Sequence, residues 1–502
     1  MSVAILKSRA QLGVNAPPVT IEVFLAGGLP TFAIVGMPEK AVRESKDRVR
    51  GAIISSGFDF PQQRIIVSLG PADMRKYGGR FDLPIALGIL IASNIIPGEA
   101  AAGYEFYGEL ALNGDIREVS GILPSALQAA SSSTPVFVPE TNANEATLAS
   151  AVVFPAKTLH QVALHLNGTQ LAEQHVHTDL AQVEAEYPDL SDVRGQRQAK
   201  RALEIAAAGG HNILFSGPPG TGKSMLAQRM PGLLPPMTAA ESIETAAIDS
   251  ILGRPLDISR WGRRPFRSPH HTASAAALVG GGSEPRPGEI SRAHNGVLFL
   301  DELPEFSRHV LEVLREPMET GCITISRASR QADFPARFQL VAAMNPCPCG
   351  YLGDPDANCR CSADRVSHYR GKISGPLLDR IDIQVAVQRP PKQLLRPSAP
   401  PEESSDVVRQ RVLAARAIQQ LRNQNCNALL EGKRLQQACV ATDASWELLE
   451  KAMDTFAMSA RAHHRIWRVS RTIADLAGVH VIETEHVGEA LSLRYLEGQR
   501  GI

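Results

Sequence analysis

Residues 217–224 read Gly217-Pro218-Pro219-Gly220-Thr221-Gly222-Lys223-Ser224, a complete G-x-x-x-x-G-K-[ST] phosphate loop. Its glycines let the backbone curl until the N–H groups face a bound phosphate. Lys223 brings charge to the β- and γ-phosphates, and the Ser224 hydroxyl is suited to Mg²⁺. The chemistry these types and spacings serve is that of a nucleoside triphosphate. Such a loop must sit between a buried strand and a helix whose N-terminal dipole faces the anion. Residues 211–215 (HNILF) read as that strand and 225–230 as that helix. A chance glycine loop would lack both flanks.

Two further strand ends carry polar groups. The apolar run 296–300 stops at Asp301-Glu302. A buried strand pushes its terminal acids out at the carboxyl edge of a parallel sheet, where the phosphate loop also lies. Asp301 is then placed for the Mg²⁺ shell, and Glu302 to activate the attacking water. The bland alternative is an acidic cap on the following helix. Strand 338–344 ends at Asn345, whose amide is suited to orient water near the γ-phosphate. In 375–382 (GPLLDRID), Arg380 is a candidate to complete a neighbour's site in trans. The alternative there is an Asp–Arg surface pair of little worth.

Cys347, Cys349, Cys359 and Cys361 form two C-x-C pairs on one short loop. Four thiols so close suit tetrahedral Zn²⁺, although the spacing is tighter than the usual C-x₂₋₄-C. A labile Fe–S cluster, a redox pair and free packed thiols stay open. Cys322, Cys426 and Cys439 are isolated and read as packed thiols.

These residues need a scaffold of several domains, and 502 residues supply roughly three. Lys+Arg and Asp+Glu both number 52, so any nucleic-acid surface must be a local patch. The start carries charge inside its apolar stretch, which argues against a secretory signal. The apolar run 83–97 contains Pro84 and Asn94 and is too short to span a bilayer. A cytoplasmic location, no membrane and no structural disulfides are the expectation. Residues 1–165 mix short strands (21–25, 32–35, 64–69, 136–138) with helices and read as an α/β or α+β domain. A polar linker covers 166–190, an α/β nucleotide-binding core 191–388, and a hinge with five prolines 389–405. Residues 406–502 have helical periodicity and no strand signal.

The order of phosphate loop, LFLDE, MNP and LLDRID resembles the AAA+ ATPases of the magnesium-chelatase and MCM-like branch. The resemblance implies hexameric rings with ATP sites between subunits. Asn345 then looks like sensor 1 and Arg380 like the arginine finger. Arg461 looks like sensor 2, with Arg468 competing for that role. Residues 254–295 look like the helix-2 insert, holding seven arginines (254, 260, 263, 264, 267, 286, 292) that read either as a DNA surface or as a solvated face, with 280–283 as a mobile tip. Strand 322–326, the polar turn 327–330 and the strand leading to Met344 look like the pre-sensor-1 hairpin, whose Arg327 and Arg330 suit DNA phosphates.

The segments GGRFDLPIALG (78–88) and GELALNGDIREVSG (108–121) resemble the Lon-protease-like domain of ribosomal S5-type fold. Asp82 and Ser125 stand where a Lon-type Ser–Lys pair is needed, which argues against peptidase activity. RadA-type recombination ATPases use the fold without proteolysis, and bind DNA with it. The expected architecture is therefore α/β multidomain: Lon-like α+β domain, AAA+ P-loop core, carboxy-terminal helical lid. Together these resemble the YifB/ComM family. That implies a hexameric ATP-driven DNA motor, a branch-migration helicase acting on recombination intermediates in natural transformation. Its cofactors would be ATP and Mg²⁺ with structural Zn²⁺, and its partners DNA, further copies of itself and other recombination proteins. The rival is a magnesium-chelatase-type motor subunit remodelling a protein partner.

Overall fold

The computed structural model describes residues 3–176 and 186–494, apart from 255, 258, 259, 283, 284, 328, 329, 355, 356, 397–399 and 457. Ser283 of the expected mobile tip, and the two central residues of the hairpin turn, lie outside the described residues.

Alternation builds the amino-terminal sheet. In β1 (Val3–Arg9) and β2 (Pro18–Ala26) every second side chain is buried, Val19, Ile21 and Val23 among them. That is the period-2 pattern of a sheet with one covered face. With β3 (Thr31–Val35), β4 (Arg64–Gly70), β5 (Glu105–Phe106), β8 (Val136–Pro139) and β9 (Val153–Ala156) the order is β3-β4-β2-β1-β5-β8-β9. Strands β6 (Glu109–Leu110) and β7 (Ile116–Arg117) make a separate ribbon. The helix Asp82–Ala92 is buried along its whole length on this sheet, so its even apolarity reflects burial on all sides. The 166–190 segment is not wholly free: His175 N donates to Val153 O at 2.8 Å, laying the chain along β9.

The central domain is a five-stranded parallel sheet. Its strands are β10 (Ile213–Ser216), β11 (Phe266–Arg267), β14 (Val297–Leu300), β17 (Gln339–Met344) and β18 (Ile383–Ala386), ordered β11-β14-β17-β10-β18. Every residue of β10, β14 and β17 is buried. Continuous apolar runs of this kind mark a parallel sheet covered on both faces. Two ribbons stand outside it: β12 (Gly280–Gly281) with β13 (Arg286–Pro287), and β15 (Cys322–Arg327) with β16 (Arg330–Pro335). The sequence reading ran the return strand of the hairpin on to Met344. The chain instead leaves β16 at Pro335, and Asn295 N takes the Arg337 carbonyl at 2.7 Å before β17 begins. One more bond, Ala336 N to Gly321 O at 2.8 Å, closes the base of the ribbon.

From Ser405 to residue 494 the described residues form helices and no strand. Ser459 caps the helix Ala460–Leu476, its side chain accepting from Ala462 N. That helix lies on Arg197–Gly209 of the central domain. Trp467, Ile473 and Val412 share one apolar cluster with Ile213 and Phe215 of the sheet. The proline hinge is anchored as well, Glu402 accepting from Gly195 N at 2.7 Å and from Lys200 Nζ at 2.9 Å.

The amino-terminal domain meets the central one at two places. The helix Ile122–Ser131 packs on Ala239–Ile251, where Gly121 N donates to Ser250 O at 2.8 Å and Leu123 N to Ser250 Oγ at 3.3 Å. Ala247 joins Leu123 and Ala126 in a shared cluster, with Leu256 and Trp261 against it. The loop before β2 approaches the β15–β16 ribbon so closely that a Cβ on Gly13 would lie 2.9 Å from the Asp333 carbonyl.

Candidate functional site

The carboxyl ends of β10, β14 and β17 converge on one edge, and each delivers a chemical group there. Gly217 N donates to Met344 O at 3.2 Å, tying the phosphate loop to β17. A Cβ on Gly217 would lie 2.1 Å from the Val387 carbonyl, so no other residue fits. The helix Lys223–Leu233 starts from Gly222 at φ 91°. Lys223 is buried, and its ammonium donates to Gly217 O at 2.7 Å, Pro218 O at 2.9 Å and Asn345 Oδ1 at 3.2 Å. Burial pulls its pKa down to about 8, with Asp301 and Glu302 opposing the shift.

Ser224 Oγ donates to Asp301 Oδ2 at 2.6 Å. A hydroxyl and a carboxylate so placed are the hard oxygen ligands Mg²⁺ prefers, and both belong to the two elements expected to hold it. Glu302 sits in the left-handed region at φ 54°, ψ 46°, stabilised by its N–H on Asp301 Oδ1 at 2.9 Å. Positive φ in a residue with a Cβ costs of order 1–2 kcal/mol, and such strain gathers at functional sites. The turn throws the Glu302 side chain out of line with β14 and leaves it 51% exposed.

The sequence reading missed the partner of that carboxylate. His271 Nδ1 lies 3.0 Å from Glu302 Oε2, and the ring stacks near His270 (4.1 Å between centroids) and edge-on to Phe306. His271 arrives because β11 runs parallel to β14, pairing Phe266 with Val297 and Arg267 with Leu298. The chain leaving β11 therefore emerges at the same edge as Asp301 and Glu302. Only the His270-His271 doublet itself marks this in the sequence.

Arg380 and Arg461 lie apart from this set. The Arg380 guanidinium is held by Glu319 and by Pro376 O (2.6 Å). The Arg380 side chain is 12% exposed and Glu319 60%, so the pair is open to solvent only on its carboxylate side. Arg461 is exposed and makes no hydrogen bond or ion pair. Its competitor Arg468 is occupied, donating to Leu430 O at 2.7 Å and facing Glu431 at 3.6 Å. Arg327 and Arg330 are the last paired residues of the β15–β16 ribbon.

The four cysteines do come together. Their sulfur atoms all lie within 4.8 Å of one another, Cys347 to Cys349 at 3.3 Å, Cys349 to Cys359 at 3.5 Å and Cys347 to Cys359 at 3.7 Å. Four sulfurs about 2.3 Å from a zinc would sit roughly 3.8 Å apart, so the donor set fits a Cys₄ site. The Tyr351 N–H, then the neighbouring Cys347 thiol, draw the Cys349 pKa down to about 6, while Cys359 and Cys361, facing the same thiols, shift upwards. The loop touches the nucleotide edge: a Cβ on Gly350 would lie 2.8 Å from Pro219 Cδ and 3.8 Å from Asn345 Cγ.

Comparison with known proteins follows these lines. Models of magnesium chelatase subunit ChlI match residues 21–142 and 189–395, and that of its C-terminal region matches 402–494. The competence protein ComM of Haemophilus influenzae is 50% identical over 98% of both chains. The chain belongs to the YifB/ComM family of magnesium-chelatase-like proteins. An uncharacterised YifB of Salmonella typhimurium is 48% identical over 99% of this chain and 98% of its own. The magnesium-chelatase 38 kDa subunit of Cereibacter sphaeroides is more distant, 26% identical over 40% of this chain and 58% of its own. As a YifB/ComM member of AAA+ type the chain carries the expectation of ATP and Mg²⁺, and the geometry above supplies residues for both. No helix among the described residues is long and apolar enough to cross a membrane.

Proposed function

We propose that this chain is an ATP-driven DNA motor, a ring-forming branch-migration helicase acting on recombination intermediates in natural transformation. The observation that carries the ATPase part is the meeting of Lys223, Ser224, Asp301, Glu302 and Asn345 at one sheet edge. Lys223 holds the β- and γ-phosphates, displaced from the loop carbonyls it now meets. Ser224 and Asp301 hold Mg²⁺, which neutralises phosphate charge when bound. Glu302 takes a proton from the attacking water, a role worth about 10²–10⁴ in rate, and Asn345 orients that water. Arg380, paired with Glu319 in the single chain, completes the site of the next subunit in a homohexamer, and Arg461 stands free for a sensor role. Kinship with a competence protein supports the DNA substrate, as does the short ribbon ending in Arg327 and Arg330.

The amino-terminal domain serves as a non-proteolytic, Lon-like scaffold over 1–165. Asp82 is buried and paired to Arg48 at 2.7 Å, and Ser125 donates to Gly121 O while accepting from Arg80. Neither side chain is free to act as nucleophile or base. The cysteine loop holds one structural zinc that braces the Asn345 strand end. Residues 191–388 form the motor core, 166–190 and 389–405 its connectors, and 406–502 its lid.

The test is ATP turnover and movement of a model four-way DNA junction. Wild type should move junctions only with ATP, and Glu302→Gln should bind ATP while turning over at least about 100-fold slower. Arg327→Ala/Arg330→Ala should slow junction movement and lower the salt slope of DNA binding by about 2. Junctions that never move, with turnover rising instead on addition of a protein partner, would favour a chelatase-type motor, the reading suggested by the Cereibacter relative.

A further inference from the structure

Beside the helix that follows the phosphate loop, six arginines (Arg254, Arg260, Arg263, Arg264, Arg267 and Arg292) surround one cavity of about 480 Å³, with Gln228 and Pro231 of that helix in its wall. It opens between the helix Ala239–Ile251, the strand β11 and the Tyr187-Pro188 segment. Asp249 is the one carboxylate in its wall. Behind the wall, Asp257, Glu241 and Glu289 pair with Arg260, Arg264, and both Arg267 and Arg292. Asp249 reaches Arg254 only at 3.7 Å. Six arginines against these four acids leave two formal positive charges at the cavity. Among the described residues Arg263 meets no carboxylate; it donates to Glu186 O at 2.8 Å and lies over the Tyr187 ring at 5.1 Å.

Two wall groups are left without partners. Arg292 Nε and Thr245 Oγ1 are buried and form no hydrogen bond. Each unmet donor costs about 1–3 kcal/mol, and both residues stand in the cavity wall. Arg292 also feels the like charges of Arg267 and Arg254, which together with burial hold its pKa below the usual arginine value. Crowded guanidinium groups and a net positive wall are both met by a compact oxyanion with several acceptor atoms. Phosphate meets that description, because planar guanidinium forks bind its oxygens in pairs.

We infer that this cavity binds phosphate groups of a nucleic-acid backbone. A buried pocket for a free ion would not need the exposed arginines 254, 260 and 263 at its mouth, whereas a polymer running past the mouth presents further phosphates to each of them. The identity of the polymer rests on the DNA-motor reading above; the phosphate chemistry does not.

The full chain with Arg254→Ala/Arg260→Ala/Arg263→Ala tests this, its melting temperature serving as the control for folding. Duplex DNA binding is measured between 50 and 200 mM salt (about the range over which such slopes are read), and each lost phosphate contact lowers the slope by about 0.9. A fall of roughly 2–3 in slope, with at least about tenfold weaker binding at the lower salt, is the expected result. If the triple variant misfolds, Arg260→Ala alone, 72% exposed, should lower the slope by about 1. Pyrophosphate is the second probe, added to a Lys223→Ala background so that the phosphate loop does not compete; it should raise the melting temperature, and less so once the three arginines are removed. An unchanged DNA slope with a lost pyrophosphate effect would overturn the nucleic-acid assignment and leave a small-anion site. No change in either would overturn the cavity as a phosphate site altogether. Wild type that binds no DNA, yet is stabilised by pyrophosphate through these arginines, would sink the motor reading and the polymer together while the anion site stands.

Discussion

Lys223 is a buried ammonium whose pKa is about 8, and that value makes nucleotide affinity depend on pH in a stated direction. Above pH 8 the free protein holds the amine neutral. Phosphates favour the charged form, so binding takes up a proton there. The Kd for ATP, measured by titration from pH 7 to 10, should be flat below about 8 and then rise by up to about tenfold per unit. Lys223→Met should bind far more weakly and lose that slope. A second residue-scale prediction concerns His271. Its Nδ1 lies 3.0 Å from Glu302 Oε2, an ion pair when the imidazole is protonated, and a pair this exposed is worth about 0–1 kcal/mol. His271→Ala should therefore lower kcat by up to about fivefold with KM for ATP little changed, and His271→Gln should recover part of the loss. A kcat equal to wild type in the alanine variant would remove His271 from the site.

At the scale of elements, the cysteine loop links a candidate metal site to the phosphate loop through Gly350 and Pro219. Elemental analysis should find one zinc per chain in the wild type and none in Cys347→Ser/Cys349→Ser, whose melting temperature should fall by about 5 °C or more and whose ATP binding should weaken as the Asn345 end of β17 loosens. Retained stability with no zinc in wild type would return the four residues to packed thiols. The elements differ in how far they could be read in advance. β10, β14 and β17 announced themselves because strands buried on both faces are unbroken apolar runs that end abruptly in a polar group. β11 did not: two residues, Phe266–Arg267, carry no period, and what makes them a strand is the edge that β14 offers. His271 was hidden with it. The arginines of 254–295 were legible as a charge cluster but not in their roles, since only the fold shows Arg264 spent on the carbonyls of Pro235 and Asn295 (both 2.6 Å). The four cysteines were readable because their spacing in the chain is itself short.

For the whole molecule the decisive question is whether neighbouring chains complete each other. Arg380→Ala should bind ATP normally and hydrolyse about 10³-fold more slowly, the usual worth of an arginine finger. Mixed with Lys223→Ala, which lacks a working loop but keeps Arg380, it should regain part of its turnover at mixed interfaces. No recovery at any ratio, with mixed rings verified by mass, would place Arg380 in its own chain's structure alone, latched to Glu319. Size also matters at this scale. The helix Ala239–Ile251 turns Ala247 towards the amino-terminal domain, and Ser250 accepts two of that domain's N–H groups. The ATPase core is consequently no cassette. A gene shortened to the central and helical domains would yield a chain with Trp261 and Leu256 uncovered, and its inactivity in an assay would report clumping rather than a missing function. Any lineage that shed the amino-terminal domain would first have had to repaint that helix with polar residues, leaving a scar readable in sequence alone.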